Sequence, residues 1–349
     1  MTTITKNNIL LPVITRRTSV SVLPYSIDFT ALGDGALPAP WAGSTWAISS
    51  SVAVNTPTLG SNALTDPGLE ATYTAGLCDT LTGSGSVTVA ESADVHGGSK
   101  AQSFKADGAG AYLRFAYQAG IAGQWWQSSV WGKRTAGATG NCLWNMYSAN
   151  NMPSANQGIE IIDAAYTQKK VSYLTTDTAN KFRRILGNDT ANTVLIDDCS
   201  DAPVTEASIY TMLSSPTAAD VVVKIKPAAF VDGTLFGMLL RADAATSMTN
   251  FIMVLYRSFP TAASLGAVYV IKRIGATYTS VLAETLVNPI VADSYLEVRA
   301  SGSTVQVFYN GAQKGADLTI ADAELVSNKY VGMFSVGGNQ IKDFFVAAN

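Results

Sequence analysis

The sequence predicts an all-β protein of sandwich or jelly-roll architecture, and three observations carry that expectation. Apolar and polar residues alternate with a period of two in VVVKIKP (221–227), LEVRASGSTVQVFYNGAQKG (296–315) and WWQSSVWGKR (125–134), the period that sends successive side chains to opposite faces of a strand. Short runs of Val, Thr, Ser, Tyr and Ile are punctuated by Gly, Asn and Asp, and Ser301-Gly302 and Asn310-Gly311 suit hairpin turns because glycine tolerates the positive φ they need. Hardly any segment repeats at 3.6 residues, so helices should be few.

Composition narrows the function classes. A chain of 349 residues with 47% apolar content can bury a large core and suggests about two domains. Charged residues are 14%, with 23 basic against 26 acidic, so the basic footprint of a nucleic-acid binder is missing. A single histidine, His96, removes most imidazole metal centres and every Ser/His/Asp or Cys/His arrangement that does not run through it. Cys78, Cys142 and Cys199 have no CxxC spacing and cannot all pair, which predicts buried free thiols and maturation in a reducing cytoplasm. No apolar run approaches the ~18 residues of a membrane span, and the opening MTTITKNNILLPVITRR does not read as a signal peptide, since Pro12 interrupts its apolar stretch and no cleavage site follows.

Residues 1–25 stand apart as an extended arm. Ile9, Leu10, Leu11, Val13 and Ile14 form an apolar strip too short for a core, with Arg16 and Arg17 behind it. The strip would be poorly placed in water, which predicts an anchoring arm that packs on a neighbour; a loose terminus is the plain alternative.

The stretch SIDFTALGDGALPAPWAGSTWAISSSVAVNTP (26–57) carries an Asp-Phe, a Gly-Pro-rich turn, Trp41 and a strand with Trp46. It resembles the opening of a concanavalin-like, laminin-G-type sandwich. The continuation is missing at residue 60 and reappears after 201, in TEASIYTMLSSPTAADVVVKIKP, FGMLLRADAATSMTNFIMVLYR, YLEVRASGSTVQVFYNGAQKG and YVGMFSVGGNQIKDFFV, the last resembling the strand that closes on the first. Between them, LGSNALTDPGLE (59–70), SADVHGGSKAQSFKADGAGAYLRF, GQWWQSSVWGKR and TVLIDDCS (193–200) resemble, in order, the strands of a galactose-binding-like jelly roll of the carbohydrate-binding-module type. The resemblance implies a discontinuous sandwich of residues 26–60 and 201–349 interrupted by an inserted jelly roll at 61–200, as close-lying domain termini permit. Two tandem sandwiches with an orphan first strand is the competing arrangement.

Candidate chemistry follows from these blocks. In WWQSSVWGKR, alternation places Trp126, Ser128, Val130 and Gly132 on one face, suited to a core, and Trp125, Gln127, Ser129, Trp131 and Lys133 on the other. Tryptophans beside Gln and Lys fit a shallow carbohydrate-binding face that Trp144 and Tyr147 would extend, because aromatic faces stack on pyranose rings; core or subunit packing is the other use of such rings. The jelly-roll resemblance implies a structural calcium held by Glu70 and Asp198, at the positions where such modules carry acidic residues, though solvated acids ending strands would look the same; no other cofactor is expected. Glycoside hydrolysis needs paired carboxylates, and the close pairs are Glu160/Asp163 and Asp197/Asp198. The Glu-x-Asp-x-Glu strand of concanavalin-like glucanases is missing, so the expectation is a protein that is not an enzyme. His96, before two glycines, reads as a surface turn.

In combining an apolar arm, β-sandwiches, low charge and sugar-module resemblance, the chain resembles bacteriophage virion proteins in architecture. The expectation is therefore a structural virion protein, a capsid decoration, head-fibre or tail-fibre component made in the host cytoplasm. It would be homo-oligomeric, anchored to other virion proteins by the arm and presenting modules to cell-surface glycans. The alternatives are a secreted bacterial carbohydrate-binding protein and a glycoside hydrolase.

Overall fold

A computed structural model describes residues 23–42, 45–138, 140, 142–148, 151–153, 156–187, 193–258, 266–286 and 290–349, without the side chains of residues 156 and 157. The arm residues Ile9, Leu10, Leu11, Val13, Ile14, Arg16 and Arg17 lie outside them. The fold is almost wholly antiparallel β-strand, with one four-residue α-helix, Ala323–Val326, among the described residues.

Strands from the two ends of the chain share two sheets. A ten-stranded sheet runs in the order Gly35–Ala36, Trp46–Ser49, Val52–Asn55, Gln340–Ala348, Val221–Ala229, Leu296–Ser301, Thr304–Tyr309 and Ala312–Gln313, with Tyr25–Asp28 and Leu318–Thr319 branching from it. Tyr25–Asp28 pairs with Gln340–Ala348, Ile27 opposite Phe344, so the first described strand meets the last. The facing seven-stranded sheet is ordered Thr277–Thr285, Ala267–Ile274, Phe251–Arg257, Leu235–Ala242, Tyr330–Val336, Tyr210–Leu213 and Trp41–Ala42. Phe29, Trp46, Val223, Ile225, Phe236, Leu240, Val254 and Phe344 fill the layer between.

In the middle of the chain Tyr73–Thr74 pairs with Leu77–Cys78 as a small two-stranded sheet, and two further large sheets form. One holds Val87–Ser92, Ala101–Ala106, Val194–Val204, Gln124–Arg134, Thr167–Thr175 and Asn151–Met152; the other holds Leu81–Ser84, Tyr112–Phe115, Asn180–Gly187, Cys142–Tyr147 and Asn156–Ile161, with Gln118–Ala119 beside Asn180–Gly187. Phe104, Leu113, Trp126, Val130, Trp144, Tyr173 and Ile196 pack between them. All three cysteines are buried and free, as small apolar side chains of this jelly roll and its margin.

A third apolar cluster joins the two sandwiches. Leu235–Ala242 and Phe251–Arg257 are buried at every residue, because Phe236, Met238 and Leu240 face the ten-stranded sheet while Leu235, Leu239 and Ala242 face Trp125, Leu174 and Val204 of the jelly roll. Strands covered on both sides carry continuous apolar runs rather than alternation, which is what GMLL and FIMVLY display. Trp125 packs on Phe334 with ring centroids 5.1 Å apart. The backbones also meet: Ser172 donates to the Gly233 carbonyl (3.2 Å), Leu235 N–H donates to Ser172 Oγ (2.8 Å), and Arg257 donates to the Ser172 carbonyl. Gly233 has φ +79°, and a Cβ there would stand 2.1 Å from the Lys170 carbonyl oxygen, so glycine is required for the approach.

Asn180–Gly187 is inverted in polarity. Ile185 faces the jelly-roll core, and so do Lys181 and Arg183, each 1% exposed. Arg183 pairs with Asp201 and bonds the Tyr173 hydroxyl, which donates to Asp201 Oδ1 at 2.9 Å. Lys181 Nζ lies over the Trp126 ring, 3.9 Å from Asp201 Oδ2 and without a hydrogen bond. One carboxylate thus faces two cations, and burial drives the Lys181 ammonium down to about 5, with Arg183 adding to the effect.

Two outcomes follow from this packing. Unfolded lysine keeps its proton to ~10.4, whereas folded Lys181 releases it near 5, so the unfolded state binds the extra proton between those values and stability rises with pH, by up to ~1.4 kcal/mol per unit. Thermal melts should climb from neutral to alkaline pH, and Lys181→Met should flatten that slope and raise the neutral-pH Tm. Trp125→Ala, which opens the cluster between the sandwiches, should cost about 3–5 kcal/mol and split one calorimetric transition into two.

Candidate functional site

The structure separates the residues expected to form one sugar-binding face. Trp125 is 1% exposed in the contact with the sandwich, and Gln127 is buried beside it on the same strand. Trp144 is 0% exposed inside the jelly roll, its Nε1–H donating to Ser128 Oγ at 3.1 Å. Fully buried rings offer no face to a sugar, so Trp125 and Trp144 leave the site. For Trp125 the physical reason is that the first half of Gln124–Arg134 turns its second face to the sandwich rather than to water; Trp144 lies on Cys142–Tyr147, where alternation sends it with Met146 into the jelly-roll core.

Trp131 and Lys133 lie beyond an irregularity in the register between Ser129 and Trp131. Trp131 stacks on His96 with centroids 3.7 Å apart and planes 12° from parallel. His96 Nδ1 is 2.6 Å from Asp198 Oδ2, Lys133 Nζ is 2.5 Å from Asp94 Oδ2 and 4.7 Å from the Tyr166 centroid, and the Tyr166 hydroxyl donates to the Asp94 carbonyl at 2.7 Å. The imidazole occupies a Trp131 ring face that a sugar would need. His96 does sit in the expected turn, but as the cover of a closed cluster.

Glu70 and Asp198 converge on that turn. Glu70 accepts from Ser99 N–H (2.8 Å), Lys100 N–H (3.1 Å) and Ser99 Oγ (2.6 Å), bonds that hold its carboxyl below the usual range. A Cβ on Gly97 would lie 2.6 Å from Asp198 Oδ2, and one on Gly98 would lie 1.9 Å from Glu70 Oε1, so the two carboxylates close on a two-glycine turn from either side. Among the described residues no group of three or more His, Cys, Asp or Glu surrounds them. The pair fits a hard cation only with backbone carbonyls and water completing the shell. Neighbouring Asp197 is turned inward, accepting the His96 and Gly97 amides at 2.8 and 3.0 Å, and burial raises its pKa.

The open aromatic surface is elsewhere, on the outer face of the sheet containing Asn180–Gly187. There Phe182 is ringed by Tyr112, Tyr117 and Tyr147, with centroids at 6.1, 5.2 and 5.3 Å. Tyr117 is 52% exposed and Tyr147 36%. Arg114 stands 4.2 Å over Tyr117, Arg184 stands 5.1 Å over both Tyr112 and Tyr147, and Arg184 Nε donates to Asn145 Oδ1 at 2.8 Å. Alternation builds the face: Leu113, Phe115, Trp144, Met146 and Ile185 point into the core, which turns Tyr112, Arg114, Asn145, Tyr147, Phe182 and Arg184 outward. Only Tyr147 of these stood out in the sequence. YLRF (112–115) carries a readable alternation, but KFRRIL (181–186) puts Lys181 and Arg183 inside and Phe182 outside, against the ordinary rule.

No family model matches the sequence, and no curated protein matches it. Solved structures do resemble the fold. A xylan-binding domain of Paenibacillus barcinonensis Xyn10C is 13% identical over 42% of this chain and 99% of its own, with a TM-score of 0.32, and the tandem of two such domains from the same enzyme is 10% identical over 84% and 98%, with a TM-score of 0.35. A xylan β-1,4-xylosidase from Bacillus halodurans is 14% identical over 40% of this chain, with a TM-score of 0.30, and the match spans 29% of that enzyme. A laminarinase catalytic domain from Thermotoga maritima is 11% identical over 44% and 71%, with a TM-score of 0.29. The likeness is to the all-β sandwich folds of carbohydrate-binding modules and glycoside-hydrolase domains. These findings correct two expectations: the similar structures are bacterial carbohydrate-binding modules and hydrolases in place of bacteriophage virion proteins, and the catalytic domains among them overturn the exclusion of an enzyme.

A carboxylate pair also lines a groove of about 440 Å³ on the outer face of the ten-stranded sheet, with Ser26, Lys224, Tyr295 and Phe345. Asp28 lies directly opposite Asp343. Burial and the Asp28 charge raise the Asp343 pKa, while bonds from Thr30 lower that of Asp28.

The two classes of aromatic residue should respond differently to truncation. Trp144→Ala should destabilise by about 3–5 kcal/mol, whereas Tyr117→Ala should leave stability within ~0.5 kcal/mol, as denaturant titration of the two variants would read.

Proposed function

We propose that the protein is a carbohydrate-binding protein and that its polysaccharide ligand lies on the tyrosine-rich outer face of the jelly roll. The observation that carries this reading is the cluster of Tyr112, Tyr117 and Tyr147 around Phe182, with Tyr117 and Tyr147 exposed and with Arg114 and Arg184 beside them. The C–H faces of pyranose rings stack on aromatic faces, and a guanidinium beside them carries N–H donors that suit sugar hydroxyls. Rings held against one another lose little freedom on binding, which favours affinity.

Titration calorimetry against soluble polysaccharides tests it, with xylan and β-1,3-glucan, named for the similar structures, heading the panel. Binding should be lost or weakened about tenfold or more in Tyr117→Ala and Tyr147→Ala at unchanged Tm, a loss of ~1.4 kcal/mol or more. A protein that binds no polysaccharide in the panel overturns the reading.

The Glu70 and Asp198 pair supports a second, structural proposal, a calcium ion bridging the loop before Tyr73–Thr74 and the strand Val194–Val204 that closes the jelly roll. An ion bound only to the folded state adds ~2.7 kcal/mol at a hundred times its Kd. EDTA should then lower the Tm of the wild type but not of Glu70→Gln, and calcium should restore it; an unchanged wild-type melt removes the ion.

A further inference from the structure

The groove on the outer face of the ten-stranded sheet lies where the first described strand meets the last. Register places Ser26 opposite Phe345, Phe345 opposite Lys224 and Lys224 opposite Glu297, so one outward row crosses four strands. The next outward row holds Asp28, Asp343 and Lys226. Phe344, Val346, Val223 and Ile225 alternate with these residues and fill the core. Tyr295 also lines the groove, 45% exposed, with Lys226 Nζ 5.5 Å from its ring centroid.

Charge is answered unevenly along these rows. Lys224 Nζ is 2.8 Å from Glu297 Oε2, and Lys226 and Lys342 lie 3.3 and 3.0 Å from Asp293 Oδ1. Asp28 and Asp343 form no ion pair at salt-bridge distance among the described residues, although like charges opposite one another on antiparallel strands destabilise a sheet. Asp28 Oδ1 accepts from the Thr30 amide and hydroxyl at 2.9 and 2.6 Å. Asp343 Oδ1 is buried and receives a donor only when the two carboxyls share a proton. A buried acceptor without a donor costs stability, so such an atom marks a place where a donor belongs. With its lysines already paired, the groove presents acceptors in excess. It suits a ligand rich in hydroxyl donors and repels an anion.

We infer that this groove is a second carbohydrate-binding site, carried by the sandwich and taking a short neutral saccharide, whose ring packs on Phe345 and Tyr295 while its hydroxyls donate to the pair of Asp28 and Asp343. Its volume of about 440 Å³ falls among small-ligand sites, roughly 300–1,000 Å³. Aromatic side chains offer an apolar surface to the C–H face of a pyranose, and a carboxylate accepts from adjacent hydroxyls at its two oxygens. A neutral sugar brings those donors without a charge for the aspartates to oppose. The site shares no residue with the tyrosine-rich face and belongs to the other domain, so either can fail without the other.

Calorimetry on the full chain carrying Tyr117→Ala and Tyr147→Ala together isolates the groove. The probes are xylo-oligosaccharide, oligogalacturonate, the same oligosaccharide with its carboxyls reduced to alcohols, and calcium. Xylo-oligosaccharide should still bind this variant at one site, and adding Asp28→Asn or Tyr295→Ala should weaken that binding about tenfold or more at unchanged Tm. Loss of all saccharide binding on changing the two tyrosines overturns the inference and leaves the tyrosine-rich face as the site. Binding that survives both added substitutions overturns it as well. Tighter binding of oligogalacturonate than of its reduced form overturns the neutral assignment. Calcium binding that Asp28→Asn abolishes, with no saccharide bound, overturns the inference in favour of a cation site. On the unmodified protein, xylo-oligosaccharide at about ten times its Kd should slow carbodiimide labelling of Asp28 about tenfold. Unchanged labelling overturns the inference even if a variant fails to fold.

Discussion

The seven-stranded sheet is apolar on both faces, and the rest of the molecule is arranged by the need to cover it. One face is buried against the ten-stranded sheet, as in any two-layer sandwich. The other would leave Leu235, Leu239, Met253, Leu255, Ile271, Phe334 and Val336 in water without the jelly roll. Trp125 and Leu174 supply the cover. A large aromatic side chain removes ~150–250 Å² from water on burial, worth roughly 4–6 kcal/mol as an upper bound. The jelly roll is thus part of the sandwich's core packing as well as a domain with a core of its own.

That cover decides which surfaces remain for ligands. The sheet carrying Gln124–Arg134 spends its outer face on the sandwich and, farther along, on the closed cluster of His96, Trp131, Tyr166 and Lys133. The opposite sheet of the jelly roll keeps its outer face, and there the exposed tyrosines and paired arginines gather. The clusters differ in how their rings are covered: in the first, aspartates answer the histidine and lysine and one ring covers another, whereas in the second Tyr117 and Tyr147 stay exposed.

The polar interior of the jelly roll follows the same logic in reverse. Lys181 and Arg183 enter a core already holding Trp126 and Tyr173, with Asp201 as their shared carboxylate. A buried charge is tolerated when paired, and an unpaired one shifts its pKa instead. Lys181 takes the second course. The inversion also turns Phe182 outward to become the floor of the aromatic face, so an internal electrostatic compromise and an external binding surface arise from one strand.

The sequence by itself determined the fold class, because alternation, turn residues and the lack of helical periods are local properties of a β chain. The resemblance to a concanavalin-like sandwich implied the pairing of Tyr25–Asp28 with the closing strand, while residue type and alternation implied the burial of three free cysteines and the inward course of Trp126 and Val130. Only tertiary structure decided which of two faces on a strand meets water. Alternation assigns Trp125 and Trp131 to the same side but cannot say that a second domain covers the first and a histidine the second. Nor could it find the row formed by Asn145, Arg184 and Arg114, whose members come from three separate strands and meet only through the register of the sheet. Periodicity reports how a strand is divided, whereas long-range packing chooses what each half touches.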